Sequence, residues 1–520
     1  MSAVSVPHRV NLSWLTDRLS RLGLSRRGRQ AAVDQLTLFG PEVAEAPPPK
    51  IVTDRRARLL LLATAIGYVA LFLYWTFRQH RGLGTQAFDI GIFDQGVWLL
   101  SRFKDPFITI NGRNLFGDHA SFILLPFAAI YWVVPSVKVL LAAQTLALGI
   151  GALPTFLIAR EKLRNELFAA LLGIAYLLNP VVGWANLSEM FHPDAFEIPL
   201  VLFTFCFLLR RRWLGYWVCV CALLLVKEDV GFLIFGMGVY VALRHDRRVG
   251  VITCAVSAAY LFTVFFLLIP AFLGASTVYT GRIPFGGPTG FVKRTFTHPG
   301  DVISHLWTQK RGWYLWQLFA PFGFVAWLAP SMLLIATGPL VLNLITSFGY
   351  QFDIRYHYST LILPVIVVAT IFGVASAEPS DRRVLVGVVA MASVVCAYLW
   401  SPTPTGRVHP FIADPSYFSV ASFHRAERLL PKDAVVSAYY GYVPQISHRD
   451  EIYMFPNPWK ASNWGTFDRE GQRLPQADRV EYIFVPSSLS AESQAVLDDI
   501  RGGFMPVYDR EGVQLFKRRP

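Results

Sequence analysis

Charge is scarce in this sequence. Only 16% of its 520 residues are Asp, Glu, Lys or Arg, against about 25% in an average soluble domain. Cysteine is scarce too. The five, Cys206, Cys219, Cys221, Cys254 and Cys396, all fall in apolar runs, and none is spaced as CxxC. They read as small buried hydrophobes, with no disulfide framework and no zinc knuckle. Also missing are a Walker loop, a G-x-S-x-G elbow, an HExxH helix and a dinucleotide fingerprint. These absences speak against ATP-driven transport, serine hydrolysis and zincin chemistry. Residues 1–50 hold no early apolar core, so a cleavable signal peptide is not expected.

What the sequence does have is apolar length. Hydrophobic residues make up 53% and aromatics 14%. Runs of about 15–22 apolar residues recur, and a helix needs about 20 to cross the hydrocarbon core. Eleven spans are expected, near 58–77, 138–159, 166–184, 195–209, 213–226, 229–243, 249–271, 314–329, 331–347, 359–376 and 383–400. The run 120–135 is short, ends at Pro135, and reads as an interfacial helix. Counting it as non-crossing places Arg160, Lys162, Arg164, Arg210, Arg211, Arg212, Arg244, Arg247, Arg248, Arg382 and Arg383 in the cytoplasm. The net charge of +13 is then a topology signal, and no nucleic-acid partner is expected.

The expected fold class is mainly α: a polytopic membrane bundle with a small α/β extracytoplasmic domain. Residues 1–57 form a basic cytoplasmic tail, partly disordered, with a possible surface helix at 14–24. Residues 58–400 form the transmembrane domain, with outer loops 78–137 and 273–313. Residues 401–520 form the outer α/β domain, with strands at 435–440, 451–455, 481–485 and 513–516 and a helix at 491–502. The protein is expected in the cell (cytoplasmic) membrane with its N-terminus inside.

By this topology the polar clusters gather on the outer face. FDIGIFDQ (88–95) carries Asp89 and Asp94 among apolar neighbours, which raises a carboxyl pKa and suits a general base. GDH (117–119) carries Asp118 and His119; Asp118 could equally be a helix N-cap. SEMFHPDAFE (188–197) holds Glu189, His192, Asp194 and Glu197 with no Lys or Arg. Acids and imidazoles at that depth are costly and suggest function; they suit sugar hydroxyls or a divalent metal. KED (227–229) interrupts an apolar run with Lys227, Glu228 and Asp229. QFDIRYHYS (351–359) supplies Asp353, Arg355, Tyr356 and His357. The segment 273–313 adds Arg282, Lys293, Arg294, Lys310 and Arg311, and a guanidinium grips phosphate well. A solvated loop, a tight turn or lipid anchoring is the plain alternative for each cluster.

These pieces support a resemblance. FDIGIFDQ, DHASFILLPFA (118–128), FHPDAFEIPL (191–200), KED, RYHYSTLILP (355–364) and ISHRDEIYMFP (446–456) resemble a bacterial membrane family known only as domain of unknown function 2079. The layout of an acidic first outer loop, an interfacial helix and many spans is similar to the GT-C membrane glycosyltransferases. That resemblance implies transfer of a sugar from a polyprenyl-phosphate donor to an envelope glycan, lipid or protein acceptor, at the outer face of the cytoplasmic membrane. It implies a first-loop carboxylate as base, matching Asp89, with Asp94 as rival. The paired neighbouring acids of some relatives are not present here. His119, Glu189, His192, Asp194, Lys227, Glu228, Asp229, Arg355 and His357 would bind substrate. The sequence requires no cofactor; for a divalent ion, Mg or Mn, the candidate ligands are Asp89, His192 and Asp194. The other readings are a transporter or flippase for a lipid-linked or polar solute, and a non-catalytic envelope scaffold.

Overall fold

The computed structural model describes residues 50–275 and 279–520. The expected surface helix at 14–24 lies outside them. Among the described residues, five helices are long and apolar enough to cross a membrane: Arg55–Arg81 (α1), Val137–Leu163, Arg247–Leu273, His357–Ser376 and Pro379–Trp400. A bent pair, Glu166–Leu178 and Pro180–Leu187, makes a sixth if taken as one span. Its 41° bend sits where Pro180 cannot continue the ladder and Asn179 caps the new helix by accepting from Val181 N–H. Shorter apolar helices include Trp213–Leu224, Val230–Arg244 and Pro330–Ile345. The stretch 314–329 is not one helix. Gln309–Phe319 stops, Pro321 and Gly323 (φ +56°) break the chain, and two 3₁₀ turns follow.

The helix His357–Ser376 is central, with 83% of its apolar window buried; α1 is peripheral at 22%. A large core cluster joins the helices, from Leu61 through Tyr176, Phe205 and Val230 to Ile366 and Val389.

Outside the bundle, α2 (Ile92–Ser101), a short hairpin of β1 (Phe107–Ile108) and β2 (Arg113–Asn114), and α3 (Leu125–Val133) follow α1. With its 3₁₀ lead-in, α3 is an apolar helix over Phe122–Val133, too short to span.

The C-terminal segment forms a five-stranded sheet in the order β4-β3-β5-β7-β6. Here β3 is Val436–Ala438, β4 Ile452–Met454, β5 Tyr482–Pro486, β6 Phe504–Arg510 and β7 Val513–Arg518. β3 pairs parallel with β4 and β5, and β7 pairs antiparallel with β5 and β6. The helix Ala491–Ile500 is N-capped by Ser490. Two elements were not expected from sequence: the helix Phe418–Glu427 and the edge strand β6. In β6, Pro506 lies at a bulge, where a residue without N–H is tolerated and where it hides a strand pattern. This segment does not stand apart. Ile90, Phe93, Val97 and Ile110 of the segment after α1 share one core with Phe423, Val436, Val443, Phe484 and Leu515.

Candidate active site

The first cluster forms where α1 ends. Gly82 closes α1, a single π-turn covers Ala87–Gly91, and α2 begins at Ile92. Asp89 sits in that turn at φ +62°, ψ −90°, a conformation costly for a residue with a Cβ. Its side chain is half-buried, and among the described residues its carboxylate has no hydrogen-bonding partner. Burial, then Glu189, push its pKa up to about 8; His192 pulls the other way, and Asp118 and Asp194 add to the rise.

Asp94, five residues on, faces elsewhere. It is 1% exposed and accepts from Tyr131 O–H at 2.6 Å and from Ser447 O–H. His448 Nε2 forms an ion pair with it at 3.0 Å. Burial alone would raise this carboxyl, but His448, Ser447 and Tyr131 together hold it below the ordinary value, and the pair raises His448. Along the sequence both acids have the same apolar neighbours. The structure makes Asp94 a tie between α2, α3 and the C-terminal segment, and leaves Asp89 facing the site.

The GDH and KED motifs meet. Asp118 ends a short helix, Leu115–Asp118, and accepts from Arg113 Nη1 (2.9 Å), Asn111 Nδ2 (3.1 Å) and Tyr279 O–H (2.5 Å). His119 Nδ1 lies 2.8 Å from Glu228 Oε1, and Ala120 N–H donates to Glu228 Oε2 at 3.2 Å. The His119 ring stacks on Tyr279.

The remaining motifs converge beside them. A 3₁₀ turn at Pro193–Phe196 leads into Glu197–Leu209 and turns Asp194 inward. Asp194 contacts His192 Nδ1 through one oxygen and Lys227 Nζ through the other, at 2.9 Å. Lys227 is also 4.0 Å from Asp229. His357, brought in by the loop before Leu363–Ser376, stacks on His192 with centroids 3.6 Å apart and bonds Glu189 at 2.5 Å. Glu197 accepts from Thr360 O–H.

One group here could hold a metal. His192, Asp194 and His357 each offer an atom within 4.8 Å of the others. Asp89, expected in that group from sequence, is not part of it; His357 takes its place because the ring stack brings two imidazoles together. Two nitrogens and one carboxylate suit zinc or manganese better than magnesium, which prefers oxygen. The ammonium of Lys227, already on Asp194, competes for the same charge.

Cations divide sharply. Arg355 grips Asp353 with two nitrogens and is 58% exposed, so its guanidinium is committed at the surface. Arg311 is buried and donates to the carbonyls of Leu344 and Thr346. Arg294 pairs with Asp301. Arg282 differs. It lies 4.3 Å over Tyr279 and 4.0 Å over Phe348, donates to Tyr358 O–H at 3.2 Å, and has no carboxylate partner among the described residues. The interleaved aromatics of 273–313 carried this signal, but five cations shared it in the sequence.

Comparison places the sequence and the fold among known proteins. A family model described as a predicted membrane protein (DUF2079) matches residues 79–515. No curated protein matches the sequence. The structure is similar to that of ArnT from Cupriavidus metallidurans bound to undecaprenyl phosphate, with TM-score 0.55 and 13% identity, over 89% of this chain and 98% of that one. The archaeal oligosaccharyltransferase AglB from Archaeoglobus fulgidus, in complex with an inhibitory peptide and a dolichol-phosphate, aligns over 90% of this chain and 75% of that one, with TM-score 0.44 and 9% identity. The fold is GT-C-like.

Proposed function

Because this chain belongs to the DUF2079 family of predicted membrane proteins, we propose its activity from fold and site together: a glycosyltransferase that takes a sugar from a polyprenyl-phosphate donor. The acceptor is an envelope glycan, lipid or protein hydroxyl at the outer face of the cytoplasmic membrane. The observation that carries this reading is Asp89: a half-buried carboxylate in a strained turn, unpartnered among the described residues, with a pKa of about 8.

In the proposed reaction Asp89 accepts the proton as the acceptor oxygen attacks the anomeric carbon. The bond from that carbon to the donor phosphate breaks, with inversion. General-base catalysis of this kind contributes about 10²–10⁴-fold. The leaving phosphate needs positive charge fixed in advance. Arg282, clamped between two rings, and Lys227 supply it. His119, Glu228, Glu189, His192, His357, Asp194 and Asp229 form the polar wall that orients sugar and acceptor. An ion held by His192, Asp194 and His357 would add Lewis-acid charge on the phosphate side.

Lipid tails need an apolar channel. A cavity of about 740 Å³ opens where Val230–Arg244 and Arg247–Leu273 face Pro330–Ile345, lined by Phe232, Phe235, Phe262, Phe265 and Leu334. Phe232 N–H bonds the carbonyl of Asp229, so this channel begins one turn from the charged wall. It is our choice for the prenyl chain.

The test is transfer from radiolabelled polyprenyl-phosphate sugars to crude envelope acceptor by the purified protein in detergent. Wild type should transfer, and Asp89→Asn should lose at least a hundredfold while remaining folded. Absence of both transfer and donor hydrolysis across a broad donor panel, from folded protein, would overturn the reading.

A further inference from the structure

A second cavity lies outside the charged centre, at the seam between the first outer loop and the C-terminal sheet. Its volume is about 350 Å³, the low end of the range for small-ligand sites. The β1–β2 hairpin supplies one wall through Phe107 and Thr109. The C-terminal segment supplies the other through Asp450, Glu451, Trp464, Gln476 and Arg479.

We propose that this cavity binds a neutral saccharide. Three observations lead there. First, its cations are already neutralised: Lys104 Nζ is 2.5 Å from Asp450, and Arg479 is 2.9 Å from Glu451. With Asp105 also in the wall, two cations face three acids. A phosphate or carboxylate ligand would meet net negative charge. Second, the wall is mixed in kind. Phe107 is 41% exposed and offers an apolar ring face, while planar carboxylate, amide and guanidinium groups stand beside it. A sugar has both complements, C–H faces for the ring and paired hydroxyls for the planar groups. Third, Gln476 Oε1 is buried and without a hydrogen-bonding partner among the described residues. A buried carbonyl oxygen ordinarily finds a donor; with the amide turned toward the cavity as a sugar binds, a sugar O–H would be one.

The hairpin also links this cavity to the charged centre. Gly112 at its tip adopts φ +68°, and a Cβ there would meet Trp464 at 2.4 Å. Arg113, the next residue, donates to Gly465 O on one side and holds Asp118 on the other. One hairpin therefore touches both sites. A role for this cavity as the place where a growing glycan acceptor rests depends on the transferase reading above; the binding itself does not.

The experiment is saturation-transfer NMR on the full chain in detergent with free neutral disaccharides: cellobiose, maltose, α-1,6-mannobiose and N,N′-diacetylchitobiose. At least one should receive saturation from the protein, and Phe107→Ala and Gln476→Ala should each weaken that signal severalfold. Both positions border the cavity rather than the core, and a thermal melt checks that each variant folds. Asp89→Asn should keep the signal in full, so loss of transfer and loss of this site are read separately. No saturation of any disaccharide, or a signal unchanged in both variants, would overturn the proposal. An Asp89→Asn variant that lost the signal would place the sugar in the charged centre and overturn it too.

Discussion

Replacing Asp94 by asparagine separates the two acids that share the FDIGIFDQ motif. The change keeps shape and removes charge. In the wild type one oxygen takes Tyr131 O–H, and the other takes Ser447 O–H and pairs with His448. Asparagine keeps one acceptor and turns an NH₂ toward Ser447 and His448. Breaking a buried charge pair from one side costs about 3–5 kcal/mol. His448 is 29% exposed and can recover water, so roughly 2–3 kcal/mol is expected. The loss should appear where Asp94 acts, as faster hydrogen exchange over Ile446–Arg449 and α2 and a lower melting temperature. The pH dependence has a definite sign. Asp94 is depressed below 3.8, so its contribution is present above that value and fades as pH falls through the folded pKa. His448 is raised above 6.5, so its contribution is full below 6.5 and fades as pH rises through the folded pKa. The gap between wild type and variant should thus be widest between about pH 4 and 6.5. Chemistry at the charged centre should survive. An unchanged melt combined with loss of transfer as deep as in Asp89→Asn would refute the assignment and make Asp94 the base.

Three further outcomes are expected. Asp89 must be deprotonated to accept a proton, and its pKa is about 8, so kcat/KM should climb as pH rises through about 8 and then level; a flat profile from pH 6 to 9 would count against it as base. Arg282→Ala should raise the donor KM about tenfold, the equivalent of about 1.4 kcal/mol, whereas Arg355→Ala, already neutralised by Asp353, should leave it unchanged; equal effects in steady-state kinetics would dissolve the distinction. Gly112→Ala forces a side chain into Trp464 at φ +68°, which should cost about 1–3 kcal/mol in thermal unfolding, and a neutral result would mean the hairpin tip can move aside.

How much of this was legible beforehand follows from range in sequence. Apolar length needs no partner to be read, so the hydrophobic runs and the strands of the tail could be placed from local pattern. Side-of-membrane counting gathered the polar motifs onto one face, and His119 with Glu228 and Asp194 with Lys227 do meet. What the pattern could not hold was the partner of each charge. Asp89 and Asp94 look alike across eight residues because their difference lies 353 positions away, at Ser447. His357 reaches the metal-like group only because the helix it begins is central, and nothing in QFDIRYHYS says so. Arg355 and Arg282 are both arginines among aromatics; one is two residues from an acid that claims it, and the other stacks on Tyr279 and Phe348. The breaks at Pro180 and at Pro321–Gly323 are written in the sequence, but hydropathy averages across them. The seam between the segment after α1 and the tail follows from the same limit. Hydropathy assigns 78–137 and 401–520 to separate segments, yet Ile90, Phe93 and Ile110 bury themselves against Val436, Phe484 and Leu515. Asp89 therefore sits on a turn whose far side is packed by the tail, with Gly91 3.4 Å from Val443 at the Cβ position. A turn at φ +62° holds only when its surroundings over-determine it, so the tail's packing is part of what keeps Asp89 in place.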